Sequence, residues 1–196
     1  MILGDAYVNE TLQNIENGDP VAIYKSGSNW GSFIGITFNN LKVGLTSFIW
    51  GVSGGIGTGY ILLQNGIMLG AFQYFFQIRE VFWESAKGIW IHGAMEIFAI
   101  VVEGAAGLLL GASILFPKTY SRLRSFKIGI NVGIKIVIST FPFTIAAGFL
   151  EGFVTRFSNV MPNSIAMLII FGTLSLISYY YLVYPFKVVK KITKTA

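Results

Sequence analysis

The stretch that decides the fold is Ile89–Phe116, which reads IWIHGAMEIFAIVVEGAAGLLLGASILF. It contains no lysine, arginine or aspartate, and its ionisable side chains are His92, Glu96 and Glu103. A helix needs about 20 mostly apolar residues to cross the ~30 Å hydrocarbon core of a bilayer, and this stretch is longer than that. It therefore predicts a membrane-spanning helix that carries polar groups inside it.

The composition of the whole chain points the same way. Its 196 residues are 54% hydrophobic and 12% charged, with a mean hydropathy of +0.66, whereas soluble domains carry about 25% charged residues. The absence of cysteine excludes disulfides and thiolate metal sites, and the single histidine excludes a multi-histidine centre. The net charge of +5 comes from basic residues beside apolar segments, which indicates membrane orientation and not nucleic-acid binding.

Three other stretches are long and apolar enough to be spans, and a fourth apolar piece is shorter. The short piece follows the turn dipeptide Asn65-Gly66, so we predict a re-entrant or interfacial half-helix there, with a tilted fifth span running to Trp83 as the alternative. The fold class is thus an all-α, polytopic transmembrane bundle with a short half-helix segment. The other predicted spans are Val43–Leu63 (with a start at Phe33 as an option), Ile136–Thr155 and Ser164–Tyr184, and the short segment is Ile67–Phe76.

The chain divides into a polar lead-in (1–32) with a short amphipathic helix around Tyr7–Ile15, the bundle (33–186) and a basic tail (187–196). Basic residues concentrate between the second and third long spans and after the last, so the positive-inside rule places both regions in the cytoplasm. Four crossings put the N-terminus there too, and five would put it outside. The basic residues in question are Lys118, Arg122, Arg124, Lys127, Lys135, Lys187, Lys190, Lys191 and Lys194.

Glycines recur at four-residue spacing on three of the predicted spans. Such side-chain-free stripes let membrane helices approach closely, and packing within one bundle is favoured over a dimerisation face. The glycines do not form a phosphate-binding loop, because the later glycine of the dinucleotide fingerprint and a Lys-Ser/Thr pair are both missing. The predicted packing glycines are Gly51, Gly55, Gly59, Gly107, Gly111, Gly148 and Gly152.

Polar side chains inside the spans are the candidate functional residues. At ~100° per residue, His92, Glu96 and Glu103 point in directions of about 0°, 40° and 20°, so they share one helix face. Burying an acid in a membrane costs on the order of 3 kcal/mol, so we expect each acid to face the bundle interior and to have partners. The other candidates for this polar intramembrane cluster are Asn40, Asn65, Glu151 and Arg156.

Two interpretations of these polar residues stay open. One is a hydrogen-bonded arrangement that fixes helix register, and the other is a proton or ion path or a partner-recognition site. Among the spans, His92, Glu96 and Glu151 are predicted to converge near the outer leaflet.

Enzymatic alternatives find little support in the sequence. The order of His92 and Glu96 is not that of zinc proteases, and no second histidine exists. Gly51-Val52-Ser53-Gly54 matches the short string of rhomboid-type serine proteases, with His92 on another helix as a partner. A four-residue string of small amino acids in a glycine-rich span is weak evidence. We predict a non-enzymatic protein without a cofactor or metal.

Several blocks in fixed order resemble the stage II sporulation protein M family of integral membrane proteins. The resemblance covers about residues 33–160, and Glu103 is not part of the family pattern. The blocks are Phe38-Asn39-Asn40, Gly55-Ile56-Gly57-Thr58, Leu63-x-Asn65-Gly66-x-x-x-Gly70, Ile91-His92-Gly93-x-x-Glu96, and Ala146-Ala147-Gly148-Phe149-Leu150-Glu151-Gly152-Phe153-x-Thr155.

The resemblance implies a multi-pass protein of the cell membrane that acts as a scaffold or anchor for a cell-envelope complex. Its implied partners are the lipid bilayer and other membrane or cell-envelope proteins, such as peptidoglycan hydrolases or an AAA+ ATPase. Family members often carry a longer cytoplasmic N-terminal region, so a short or truncated N-terminus is expected here. Whether the chain forms a homo-oligomer stays open. A transport or permease component using the His92/Glu96/Glu103 face is the alternative function.

Overall fold

The computed structural model describes residues 3–25 and 27–195, and within them the chain is 86% helical and has no strands. Wider π turns cover Leu150–Val154 and Tyr179–Val183, and 3-10 turns cover Ala22–Lys25, Trp50–Ser53 and Thr155–Phe157. The helices are α1 (Asp5–Glu16), α2 (Asn29–Ile49), α3 (Ile56–Gln77), α4 (Phe82–Leu115), α5 (Arg122–Phe149), α6 (Asn163–Ser178) and α7 (Tyr184–Thr195).

The helix α4 is the centre of the bundle and packs against α2, α3, α5 and α6. An apolar core forms where α2, α4 and α5 meet, around Phe48, Ala106, Leu110 and Val137. The all-α fold predicted from the sequence is therefore confirmed. Three helical stretches are long and apolar enough to cross a membrane: Phe82–Leu115, Arg122–Phe157 and Asn163–Lys194. They contain the predicted spans 136–155 and 164–184, and all of 89–116 except its last residue.

The predicted first span, Val43–Leu63, is wrong as a continuous helix. The chain leaves α2 in the 3-10 turn Trp50–Ser53 and then passes through Gly54 and Gly55, which have φ angles of 73° and 90°. This left-handed conformation is readily available only to glycine, so the two glycines reverse the chain. The result is a helical hairpin of α2 and α3 in place of one span.

The predicted half-helix at Ile67–Phe76 is also wrong, because it belongs to the continuous helix α3. Asn65-Gly66 is helical and forms no turn; Asn65 Nδ2 donates to the carbonyl of Ile61 one turn earlier. With 21 and 22 residues, α2 and α3 are about 31 and 33 Å long, enough to run the full height of the bundle. The helices α2 and α3 carry more Asn and Gln side chains than α4, so their apolar stretches look shorter in the sequence than the helices are.

The tip of the hairpin docks on the glycine face of α4. A Cβ atom added to Gly51 would lie 2.2 Å from the carbonyl oxygen of Gly107, and one on Gly111 would lie 2.4 Å from the backbone nitrogen of Gly55. Backbone thus meets backbone, which only glycine permits. A hydrogen bond of 2.7 Å from Thr58 Oγ1 to the carbonyl of Ser47 closes the hairpin.

The remaining predicted packing glycines behave differently from one another. A Cβ atom on Gly148 of α5 would come within 2.3 Å of Thr37 Oγ1, and one on Gly152 in the following π turn would lie 2.9 Å from the carbonyl oxygen of Asn29. Both glycines lie where the end of α5 meets α2. Gly59 is the exception, since a Cβ atom there would have no neighbour within 4 Å. The expected stripe of Gly51, Gly55 and Gly59 does not exist, because the hairpin turn separates its members.

The described parts of the N-terminal segment and of the C-terminal tail lie at opposite ends of the bundle. Asn159 donates a hydrogen bond to Asp19, and Gly88 near the start of α4 contacts Val21, so the N-terminal segment sits beside the α5–α6 connection. The tail instead follows α6 towards the end where α4 passes into α5, because Tyr181 contacts Phe98 and Ser139. Five helices therefore run along the described bundle, as in the five-crossing alternative, and the membrane side of residues 1–32 and of the tail stays a prediction.

The glycine contacts predict a clear difference between two alanine substitutions. Gly111→Ala should lower the free energy of unfolding by about 1–3 kcal/mol, because its methyl group overlaps the backbone of Gly55. Gly59→Ala is the matched control and should be neutral or slightly stabilising, since alanine favours helix and nothing lies nearby. Thermal unfolding of the detergent-solubilised protein measures both, and equal melting temperatures would contradict the docked hairpin.

The arrangement of the ends predicts how single cysteines will be labelled in this cysteine-free chain. A cysteine at Thr119 or Thr193 should react with an impermeant maleimide only from the cytoplasmic side, and one at Asn17 only from the other side. Oriented vesicles of both polarities provide the comparison. Labelling of positions 17 and 119 from one side would contradict the five-helix order, and labelling of 119 only from outside would reverse the orientation.

Candidate functional site

Three ionisable side chains from two helices meet inside the bundle. His92 and Glu96 lie one turn apart on α4, and Glu151 comes from the π turn that extends α5. One ligand atom from each of the three lies within 4.8 Å of the other two. We call this group the His92–Glu96–Glu151 triad. The convergence is the one that helix spacing and antiparallel packing predict.

The π turn is the local feature that presents Glu151. Leu150–Val154 makes the helix wider by one residue per turn, which displaces the side chains that follow Phe149 from the regular face of α5. Gly152 inside the turn lies against Asn29 and Phe33 of α2, so the wide turn fits closely against its neighbour. Single π turns inside α-helices occur frequently at functional sites.

Two neighbouring side chains form hydrogen bonds with the triad, one on α2 and one in the turn that follows Glu151. Asn40 Nδ2 on α2 donates to Glu96 Oε1. His92 Nδ1 lies 3.0 Å from Thr155 Oγ1, and His92 Nε2 lies 3.6 Å from Glu151 Oε2. Because Nδ1 faces Thr155, the ring is oriented with Nε2 towards the two carboxylates. His92 is only 5% exposed, so this orientation is set by the protein interior.

A cavity of about 700 Å³ opens between α2, α3 and α4 and reaches two members of the triad. Apolar side chains form most of its wall, and Tyr7 of α1 lies at one edge with its ring 5.6 Å from that of Phe72. The polar groups in its lining are Asn39, Asn40, Asn65, His92 and Glu96. The cavity is thus apolar with a polar base, which suits a ligand or side chain having one polar end.

Glu103, which the sequence places on the same face as the triad, lies in a separate environment. It is 1% exposed and accepts a hydrogen bond of 2.6 Å from Thr140 Oγ1 on α5. Its carboxylate occupies the space beside Gly44, where an added Cβ atom would lie 2.0 Å from Oε2. Glu103 does not line the cavity. It is therefore a closed, paired buried acid, separate from the site that the cavity reaches.

The other candidates fall at the margins of the triad. Asn65 lines the cavity, but its amide bonds to its own helix, as described above. Arg156 lies half-buried in the 3-10 turn that begins at Thr155.

The serine-protease arrangement is not formed. Ser53 Oγ donates to the carbonyl of Trp50 and accepts from the amide of Gly57, so it serves the hairpin turn. That turn packs at Gly107, about 22 Å along α4 from His92.

Two hydroxyl partners are not singled out by the sequence. Thr155 lies four residues after Glu151, a spacing that puts both on one side of α5 and could have indicated their shared site. Thr140 is different, since nothing in its local sequence connects it to Glu103. Only the packing of α4 against α5 brings this pair together.

The class of protein follows from these observations: an all-α bundle with membrane-length apolar helices and a polar site between α2, α4 and the end of α5. The family model described as SpoIIM, stage II sporulation protein M, matches residues 2–156. The chain belongs to this family, and all members of the triad and both of its hydrogen-bond partners lie within the matched region. The helices α6 and α7 lie outside it.

No curated protein and no solved structure matches the chain.

The contact between Thr155 and His92 predicts the effect of two substitutions. Thr155→Val keeps the shape but removes the hydroxyl, so the free energy of unfolding should fall by about 1–3 kcal/mol, because a buried imidazole nitrogen loses its partner. Thr155→Ser retains the hydroxyl and should recover most of the loss. Thermal unfolding measures the effect, and equal destabilisation by valine and serine would show that the lost methyl contacts matter instead.

Proposed function

We propose that the protein is a non-enzymatic membrane scaffold that holds a cell-envelope complex, including peptidoglycan hydrolases or an AAA+ ATPase, at the cell membrane. Membership of the stage II sporulation protein M family supports the membrane location and the link to the envelope. The chain crosses the membrane five times in this proposal, with the C-terminal tail in the cytoplasm.

The main support for the proposal is the cavity, which combines polar groups at its base with exposed apolar residues at its rim. The polar base is built on α2 and α4, which are held together by glycine contacts, while the apolar wall from α3 extends to an exposed surface. Met68 lines the cavity and is 50% exposed, and Leu63 nearby on α3 is 60% exposed. A partner's transmembrane helix could place apolar side chains against α3 and a polar group over Asn40 and Glu96.

A second candidate, transport of protons or ions, has one observation in its favour: the cavity reaches two ionisable groups, the buried His92 and the half-buried Glu96. A path along α4 would have to continue from Glu96 to Glu103. Between them the lining of the cavity ends, and Glu103 is enclosed by Gly44 and Thr140. Transport is therefore the weaker of the two proposals.

Crosslinking in the native membrane tests the scaffold. A photoreactive amino acid at Met68 should give defined adducts with another envelope protein, identified by mass spectrometry after purification. The matched control is the same group at Leu168 of α6, which is 76% exposed but lies away from the cavity, and it should give mainly lipid adducts.

Two results would contradict the scaffold proposal. One is that the photoreactive groups at Met68 and Leu168 give the same adducts in the same yield. The other is purification of the chain alone, together with vesicles that show ion flux abolished by Glu96→Gln and retained by Glu103→Gln. The second result would establish the transport alternative.

A further inference from the structure

We infer that the His92–Glu96–Glu151 triad binds one divalent transition-metal ion of the zinc type, at the base of the cavity. The single histidine excludes a multi-histidine centre but leaves a centre with one imidazole and two carboxylates. This site is independent of which complex the protein anchors. The sequence predicts that the three side chains converge but predicts no metal, and the structure adds the spacing of their ligand atoms.

The first argument is the distance between ligand atoms. Two ligands bound to one tetrahedral ion at about 2.1 Å lie about 3.4 Å apart. His92 Nε2 and Glu151 Oε2 are 3.6 Å apart, too far for a hydrogen bond but close to that separation. One ligand atom each from His92, Glu96 and Glu151 lies within 4.8 Å of the other two. Small side-chain rotations bring all three to bonding distance.

The second argument is the set of hydrogen bonds behind the ligands. Histidines that bind metals usually donate their other ring N–H to an oxygen, which fixes the nitrogen that faces the ion. Thr155 Oγ1 occupies that position at His92 Nδ1, leaving Nε2 for the metal. Asn40 does the same for Glu96 by donating to Oε1, so Oε2 can bind.

Charge gives the third argument. Two carboxylates side by side in a bundle interior repel each other and lose hydration. A divalent cation bound between them neutralises both charges at once. His92 and Glu96 line the cavity, so a fourth coordination position faces open space where water or a small anionic ligand can bind.

The experiment measures zinc bound to the full chain, purified in detergent through an affinity tag without histidine. After equilibration with ZnSO₄ and removal of free metal, the wild-type protein should retain about one zinc per chain by elemental analysis. His92→Gln, Glu96→Gln and Glu151→Gln should each reduce retention to background. Glu103→Gln is the matched control, since this acid is buried on the same helix outside the triad, and it should retain zinc fully.

A spectroscopic measurement on the wild-type protein covers the case in which a triad variant fails to fold. X-ray absorption of the zinc-loaded protein should show a single imidazole nitrogen and otherwise oxygen ligands. Zinc ligated by oxygen alone would overturn the proposal, as would wild-type protein that retains no zinc, or triad variants that retain as much as the control.

Discussion

The structure depends on the close approach of α4 to its neighbours at positions that have no side chain. Gly107 and Gly111 let the α2–α3 hairpin place backbone on backbone, and Gly148 and Gly152 let the end of α5 approach α2 closely. In hydrocarbon, apolar side chains gain little by leaving lipid for protein, so dispersion contacts at this distance and buried hydrogen bonds hold helices together. These contacts set the positions of the polar side chains of α4 and of their partners on α2 and α5.

The buried acids of α4 follow from that packing. Both acids lie against α2. Asn40 donates a hydrogen bond to Glu96, and the carboxylate of Glu103 fits beside Gly44 because glycine has no side chain. Each also meets α5, but with opposite consequences. Thr140 donates a hydrogen bond to Glu103, whereas Glu151 adds a second carboxylate beside Glu96. One acid is therefore satisfied within the protein, and the other belongs to a site that can still bind something.

On α4, the enclosed Glu103 and the candidate site at Glu96 thus lie only about two helical turns apart. The interior around Glu103 is closed, as a register-fixing contact requires. The triad lies beside a cavity whose wall, α3, also presents apolar residues outwards. The two proposals are compatible, because the proposed partner surface lies on the rim of the cavity and the proposed metal ligands lie at its base.

The sequence by itself determined the all-α fold, the three most apolar helices, the amphipathic N-terminal helix and the shared face of His92 and Glu96, since these depend only on apolar length and helical period. It misjudged the stretch 43–76, where the same glycines serve equally well as a packing stripe or a turn. Only tertiary structure decided between them, because the left-handed φ angles of Gly54 and Gly55 are stabilised by docking against α4. The tertiary structure alone also showed that Thr140 is the hydrogen-bond donor to Glu103 and that Glu103 lies outside the triad. These contacts join residues that are distant in the chain.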